Sequence, residues 1–437
     1  MATRNPHDRE IARLAVPALG ALIAEPLYVL ADTAVVGNIG TDELAGLAVA
    51  SSALLTGYAV FIFLAYGTTA AVSRLLGAGR EDDAARQAIQ SLWLAVSIGV
   101  VVTGLTLLAT GPIVTALGGD GDVRTNAEIY LGISALGIPA QLLTFAGTGY
   151  LRGLQDTRTP LVVAVVAAAG NLVLELVLIN GLGFGIGASA ASTVVAQVGT
   201  AGVYVWMVGR DVRHRHLDWR PDARSIRRLG RAGTDLLVRT VALRGALTLT
   251  TAVAARIGAA DVAAHEVAFA VMSLLALALD AIAIAGQALI GRFLGAGDTA
   301  TARDAGRRML ALGLIAGIAS AGIVLAASPF LPSVFSDDPR VVDLATFLLL
   351  WVAALQPLNA LAFVLDGLLI GAGDMRFLAK AMVASAACTA VAAGVVLGLG
   401  LGVGWVWGAI GVLMATRAAA LLHRWRSGAW AVTGAEV

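Results

Sequence analysis

Twelve apolar runs, each long enough to cross a bilayer, follow one another along the chain and leave few fold classes open. They cover residues 11–37, 45–73, 87–111, 125–150, 160–181, 186–209, 232–256, 262–290, 304–328, 341–370, 377–399 and 402–423. A hydrocarbon core takes about 20 helical residues per crossing. Of the 437 residues, 58% are hydrophobic and 14% charged, against about 25% charged in soluble domains. The chain therefore reads as an integral membrane protein. Spanning β-barrels show short alternating segments, whereas these runs are continuous, so the expected fold class is all-α and polytopic.

The net charge of +1 is uninformative, but the placement of the charges is not. Of the 30 Lys and Arg, 24 fall at the termini, in the connections after even-numbered spans, or in the span ends that adjoin them. Three lie in or at the edge of the opposite loops (Arg124, Arg256, Arg340) and three deeper inside spans (Arg239, Arg244, Arg417). Basic residues collect on the cytoplasmic side, which places both termini there, integral in the plasma (inner) membrane, and requires an even number of crossings. The start "MATRNPHDRE" has no small-residue cleavage site after the apolar run that follows, which predicts that no signal peptide is removed. Cys388 is the single cysteine, so no intramolecular disulfide or cysteine metal cluster is open to the chain.

The chain repeats itself. "SRLLGAGREDDAAR" from Ser73 aligns with "GRFLGAGDTATAR" from Gly291, "GLQDTR" from Gly153 with "GAGDMR" from Gly371, and "NIGTDELAGLAVA" from Asn38 with "RIGAADVAAHEVA" from Arg256. All three pairs share one offset, half the length of the chain. Each half holds six spans and so enters and leaves on one side. That is the pattern of parallel repeats about a pseudo-two-fold axis along the membrane normal. The expected organisation is an N-terminal six-helix lobe over 1–209, a cytoplasmic basic linker over 210–231 and a C-terminal six-helix lobe over 232–437. The linker carries eight Arg, two His and three Asp. It reads as a tether that sets topology and touches anionic lipid, with no nucleic-acid partner. The Gly-Ala-Gly turns at 77–79 and 295–297 lack the Lys-Ser/Thr of a phosphate loop and follow no strand.

Acids inside the spans carry the functional signal. A charged side chain at the bilayer centre costs about 2.5–3.5 kcal/mol on insertion scales, so Glu25, Asp32 and Glu175 must line a polar cavity, be neutral, or both. Glu25 and Asp32 are seven residues apart, nearly two turns, and share a helix face. Pro17 and Pro26 each delete a backbone hydrogen bond of the same helix and are candidate hinges. In "NLVLE", Asn171 and Glu175 stand at i and i+4, again on one face. These oxygens suit a proton or a hard cation such as sodium. The repeat places Thr250, Thr389 and Ala393 opposite Asp32, Asn171 and Glu175, so the acids belong to the N-terminal lobe alone. In the C-terminal lobe Asp280 and Asp366 are expected to pair with the buried arginines Arg239 or Arg244, a second polar cluster read as more structural than coupling.

In order and spacing, "ADTAVVGNIG", "RLLGAGR", "YLRGLQDTRTP", "NLVLELVLINGLGFGIGASAASTV", "ALDAIAIAGQALIGRFLGAGD" and "VLDGLLIGAGDMR" resemble the multidrug and toxic compound extrusion (MATE) family, in its DNA-damage-inducible protein F branch, over essentially the whole chain. The resemblance implies a secondary active exporter that exchanges cytoplasmic organic cations or toxic amphiphiles for external protons or sodium by alternating access. It implies Asp32 as the main coupling acid, with Pro17 at the bend of its helix. Asn171 and Glu175 join it, with Thr193 as a hydroxyl neighbour and Tyr130 as a further ligand, while Glu25 falls where the family often has a neutral polar side chain lining the cavity. Glu175 departs from a pattern that more often shows Asp, and the coupling ion stays open between proton and sodium.

The rival reading is a flippase for lipids or lipid-linked oligosaccharides, which needs a cationic cavity; Arg239 and Arg244 point that way and the N-lobe acids point against it. An enzyme is not expected: the five histidines (His7, His214, His216, His265, His423) form no HExxH. No cofactor, a small-molecule substrate, the lipid bilayer and a monomer complete the expectations.

Overall fold

A computed structural model describes residues 6–435, and its fold is all-α. In chain order the helices are α1 (Asp8–Gly37), α2 (Thr41–Phe61), α3 (Phe63–Gly77), α4 (Glu81–Ala116), α5 (Gly121–Ala135), α6 (Ile138–Gly153) and α7 (Arg158–Leu176). They continue as α8 (Ile186–His214), α9 (Ala223–Ile257), α10 (Ala259–Gly295), α11 (Thr299–Ala327), α12 (Pro339–Gly371), α13 (Met375–Gly398) and α14 (Val403–Ser427). A π-helical turn, Val177–Gly181, follows α7. Among the described residues 11 helices are long and apolar enough to cross a bilayer, α2 and α3 running together as one span. A bent pair, α5 with α6 at 49°, brings the number to 12.

The bend has a chemical cause. Pro139 has no N–H to offer the Ala135 carbonyl, and the Thr103 hydroxyl of α4 donates to that carbonyl instead at 2.9 Å. Gly99 lets α4 come this close, since a Cβ there would lie 2.6 Å from the Pro139 Cα. By contrast α1 runs unbroken through Pro17 and Pro26.

The described chain forms two compact units, Gly20–Gly233 and Met1–Leu19 with Thr234–Val437. Both divisions fall inside helices, α1 and α9. Of the basic stretch 210–231, residues 210–214 end α8 and 223–231 begin α9. Arg215 ties the segment between them to the start of α4 through Glu81 at 2.9 Å and Asp82 at 3.1 Å. Gln90 accepts from the Asp222 N–H at 2.7 Å and donates to the Arg220 carbonyl at 3.1 Å.

The internal repeat is visible as duplicated geometry. In "GAG", Gly79 and Gly297 take φ of +71° and +80°, and the next N–H closes back on Leu75 and Phe293 at 2.9 Å, the Schellman ending of a helix. The motif's other copy has Gly373 at φ +75° where the first half has Gln155 at +64°. Helix contacts repeat as well: a Cβ on Gly149 would lie 2.5 Å from the Ala65 carbonyl oxygen, and one on Gly367 2.5 Å from that of Ala283. Within each lobe backbone therefore touches backbone through paired small residues, the usual device where lipid removes the hydrophobic drive between helices. Gly367→Val forces α10 and α12 apart and should cost about 1–3 kcal/mol. A thermal melt in detergent should show a fall of several degrees, with Gly394→Ala, which opens on empty space, unchanged.

Candidate functional site

Three helices of the Gly20–Gly233 unit turn polar side chains toward one another. On α1, Glu25, Tyr28 and Asp32 share a face at i, i+3 and i+7. On α8, Ser189, Thr193 and Gln197 form a stripe at intervals of four, and α7 brings Asn171 and Glu175. The side chains meet in three levels.

At the deepest level Ser189 Oγ donates to Asp32 Oδ1 at 2.9 Å. The Glu175 carboxyl stands near Asp32 and Ser189, and the two acids act on each other electrostatically. Tyr130, from α5, is buried close by and lies in electrostatic reach of Asp32. Asp32 is 5% exposed and Glu175 0%. One level along, Asn171 Nδ2 donates to the Tyr28 hydroxyl at 2.6 Å, which also shares a hydrogen bond of 2.9 Å with Thr193. At the third level Gln197 Nε2 donates to the Tyr58 hydroxyl at 3.4 Å, and Glu25 acts electrostatically on Tyr58. Glu25 is exposed although it shares the face of Tyr28 and Asp32.

The oxygens left over are informative. A serine has one hydroxyl hydrogen, and Asp32 takes that of Ser189. Both carboxyl oxygens of Glu175 and the Asn171 Oδ1 are buried without a protein donor. Two ionised carboxyls facing each other are acceptors only, so something that lies between them has to carry positive charge or a hydrogen. Glu175 also sits one residue from the end of α7, where the π-helical turn begins. Such departures from α geometry cluster at functional positions.

The structure brings together Asp32, Asn171, Glu175, Thr193 and Tyr130, and sets Glu25 at the exposed end of the same column. Sequence reasoning missed Tyr28 and Ser189. The signal was available: Tyr28 lies between Glu25 and Asp32 on their shared face, and Ser189 stands one turn before Thr193.

The other unit is different at the repeat-related positions. Thr250 and Thr389 are wholly buried, and their hydroxyls donate to the carbonyls of Leu247 at 2.7 Å and Ser385 at 2.8 Å in their own helices. Trp407 is the repeat counterpart of Ser189 and packs in an apolar cluster with Ala393 and Val253. Both threonine hydroxyls are thus spent on their own helices, and no acid stands at these positions. The charged cluster of this unit lies elsewhere. Arg239 grips Asp366 with two nitrogens, Nε to Oδ1 at 3.0 Å and Nη2 to Oδ2. Arg417 Nη2 approaches the same Oδ2 at 3.3 Å, with its guanidinium over the Phe363 ring and Asp280 in electrostatic reach. Arg244, the other expected partner, is exposed on α9, and Arg417 takes the place foreseen for it.

The MatE family model matches residues 17–177 and 240–404, one stretch in each half of the chain. The chain is 32% identical over 392 residues to Protein DETOXIFICATION 44, chloroplastic, of Arabidopsis thaliana, covering 86% of this chain and 74% of that one. To DNA damage-inducible protein F of Escherichia coli K12 it is 29% identical, covering 98% and 95%. A solved MOP superfamily transporter from Pyrococcus furiosus shares the fold with a TM-score of 0.88 at 22% identity, covering 98% of this chain and 97% of that one. With twelve spans, a repeated half and matches that run across both halves, the chain belongs to the MatE family, whose members are membrane transporters and not enzymes.

Proposed function

We propose that the protein is a secondary active exporter that exchanges organic cations or toxic amphiphiles for protons by alternating access, with Asp32 and Glu175 as the coupling pair. The observation that carries this reading is the buried, facing carboxyl pair whose Glu175 oxygens have no protein donor. A proton placed between two carboxyls turns two repelling acceptors into a donor and an acceptor. Its departure leaves two charges in an apolar lobe, at a cost of several kcal/mol. Occupancy of the pair thus changes how α1 packs on α7 and α8, and a cationic substrate and the proton favour opposite arrangements. Asn171 Oδ1 adds a third oxygen to the set, which also suits sodium.

Relatives support the direction of transport: besides the two above, a Probable multidrug resistance protein NorM of Chromobacterium violaceum is 28% identical over 378 residues. The arginine excess at the termini and even-to-odd connections supports a reading in which both termini lie on the cytoplasmic side of a cell membrane. One charge falling through about 150 mV supplies about 3.5 kcal/mol, and a tenfold proton ratio adds about 1.4 kcal/mol. For a neutral substrate the two sum; for a monovalent cation exchanged one for one, only the pH part remains. A pyrophosphate-binding flippase cavity is disfavoured by the acids Asp32 and Glu175, which would repel such a headgroup, and by Arg239, whose guanidinium lies on Asp366.

Efflux of a fluorescent organic cation from proteoliposomes, with pH and sodium gradients imposed separately, tests this reading. A pH gradient should drive efflux in the wild type, and Asp32→Asn or Glu175→Gln should lower it at least tenfold while leaving the melting temperature within a few degrees. Efflux driven by sodium alone would replace the proton with sodium at the same oxygens, and no response to either gradient would overturn the proposal. Asp366→Asn should behave differently. It strands two buried guanidiniums, for which breaking a buried pair costs about 3–5 kcal/mol, so the expected result is a large drop in melting temperature and folded yield.

A further inference from the structure

The helix that carries Asp32 is held at its other end by charge. In the first turn of α1, Asp8 takes Arg308 of α11 with both oxygens, at 2.5 Å to Nε and 2.9 Å to Nη2. Glu10 pairs with Arg292 near the end of α10. His7 Nε2 lies 3.2 Å from Asp304 and its ring meets Phe293 edge-on. These contacts belong to the unit of Met1–Leu19 and Thr234–Val437, whereas α1 from Gly20 onward belongs to the other unit. There Gly20 approaches Leu161 of α7, and Tyr28 and Asp32 engage α7 and α8. Asp8 and Asp32 thus lie on one continuous helix, each fixed in a different unit.

The repeat offers a comparison within the chain. At the offset that relates Ser73 to Gly291, the counterparts of Asp8 and Glu10 are Ile226 and Arg228 on α9. The first-half counterpart of Arg308 is Gln90, which bonds the backbone of Arg220 and Asp222. Two acids that grip arginines are found on the acid-bearing helix, and its repeat partner, which carries Thr250 in place of Asp32, has none at the equivalent places. The clasp and the buried acids occur together.

We propose that Asp8 and Glu10, with Arg308 and Arg292, are positioning residues of the exchange. By fastening the near end of α1 to α10 and α11, they turn a change at Asp32 and Glu175 into a displacement passed to the other unit. Without the clasp the coupling pair still exchanges its ion and substrate still binds, but the near end of α1 slips and the step that reorients the lobes slows. This inference rests on the reading of Asp32 and Glu175 as the coupling pair.

The test uses full-length protein in proteoliposomes with ethidium as the organic cation, comparing wild type, Asp8→Asn/Glu10→Gln, Asp8→Glu, and the charge swap Asp8→Arg/Arg308→Asp. Initial rates against ethidium concentration are measured under a pH gradient, together with ethidium affinity and melting temperature in detergent. The expected result is a turnover at least tenfold lower in Asp8→Asn/Glu10→Gln, with affinity within twofold of wild type. Asp8→Glu should stay near wild type, and the charge swap should recover most of the rate. Turnover equal to wild type in the neutralised variant overturns the proposal, as does a loss of affinity and melting temperature in step with turnover. If wild type itself shows no exchange driven by pH or sodium, the coupling reading fails, and this inference with it; an active wild type beside an equally active variant removes the clasp alone.

Discussion

Carboxyl groups held inside a hydrocarbon slab set the terms for the rest of this molecule. Each one must be neutral, paired or wetted, and the two units meet that demand in opposite ways. In the unit of Met1–Leu19 and Thr234–Val437 the acid Asp366 is paired with two guanidiniums of the same chain, Arg239 and Arg417. In the Gly20–Gly233 unit the acids Asp32 and Glu175 come together, with a serine hydroxyl on one and no protein donor on the other. Internal repetition supplied two similar scaffolds, and they differ in chemistry at the repeat-related positions.

Much of this was legible in the sequence because membrane folding exaggerates a few signals. Lipid forces every span to be helical and long, so the spans could be placed from apolar runs alone. Helical periodicity put Asn171 and Glu175 on one face and Glu25 and Asp32 on another. The constant offset between the halves told which lobe held the acids before any geometry was seen, and the duplicated contacts of Gly149 with Ala65 and Gly367 with Ala283 show why the offset is so regular: those helices touch through backbone, leaving no room for insertion or drift.

What sequence did not disclose depends on partners far apart in the chain. Arg239, Arg244 and Arg417 look alike on paper, and only the rotation of α9 and the crossing of α14 decide that Arg239 and Arg417 reach Asp366 while Arg244 is exposed. Tyr28 and Ser189 were passed over because a tyrosine and a serine in an apolar span cost little and so draw no notice, although together they supply the hydroxyls around Asp32 and Asn171. The bend between α5 and α6 needed the Thr103 hydroxyl to make a proline break tolerable in lipid. The division of α1 between two units has no local signature at all, since the helix is continuous through Pro17 and Pro26.

The central claim is that Asp32 and Glu175 hold an ion that substrate displaces. It is tested most directly by calorimetric titration of purified protein with an organic cation in two buffers of different ionisation enthalpy, for wild type and for Asp32→Asn/Glu175→Gln. A proton-coupling pair at these residues requires that wild type release protons as the cation binds and that the double variant bind without release. Equal proton release from both proteins would contradict it and place the coupling group elsewhere in the chain.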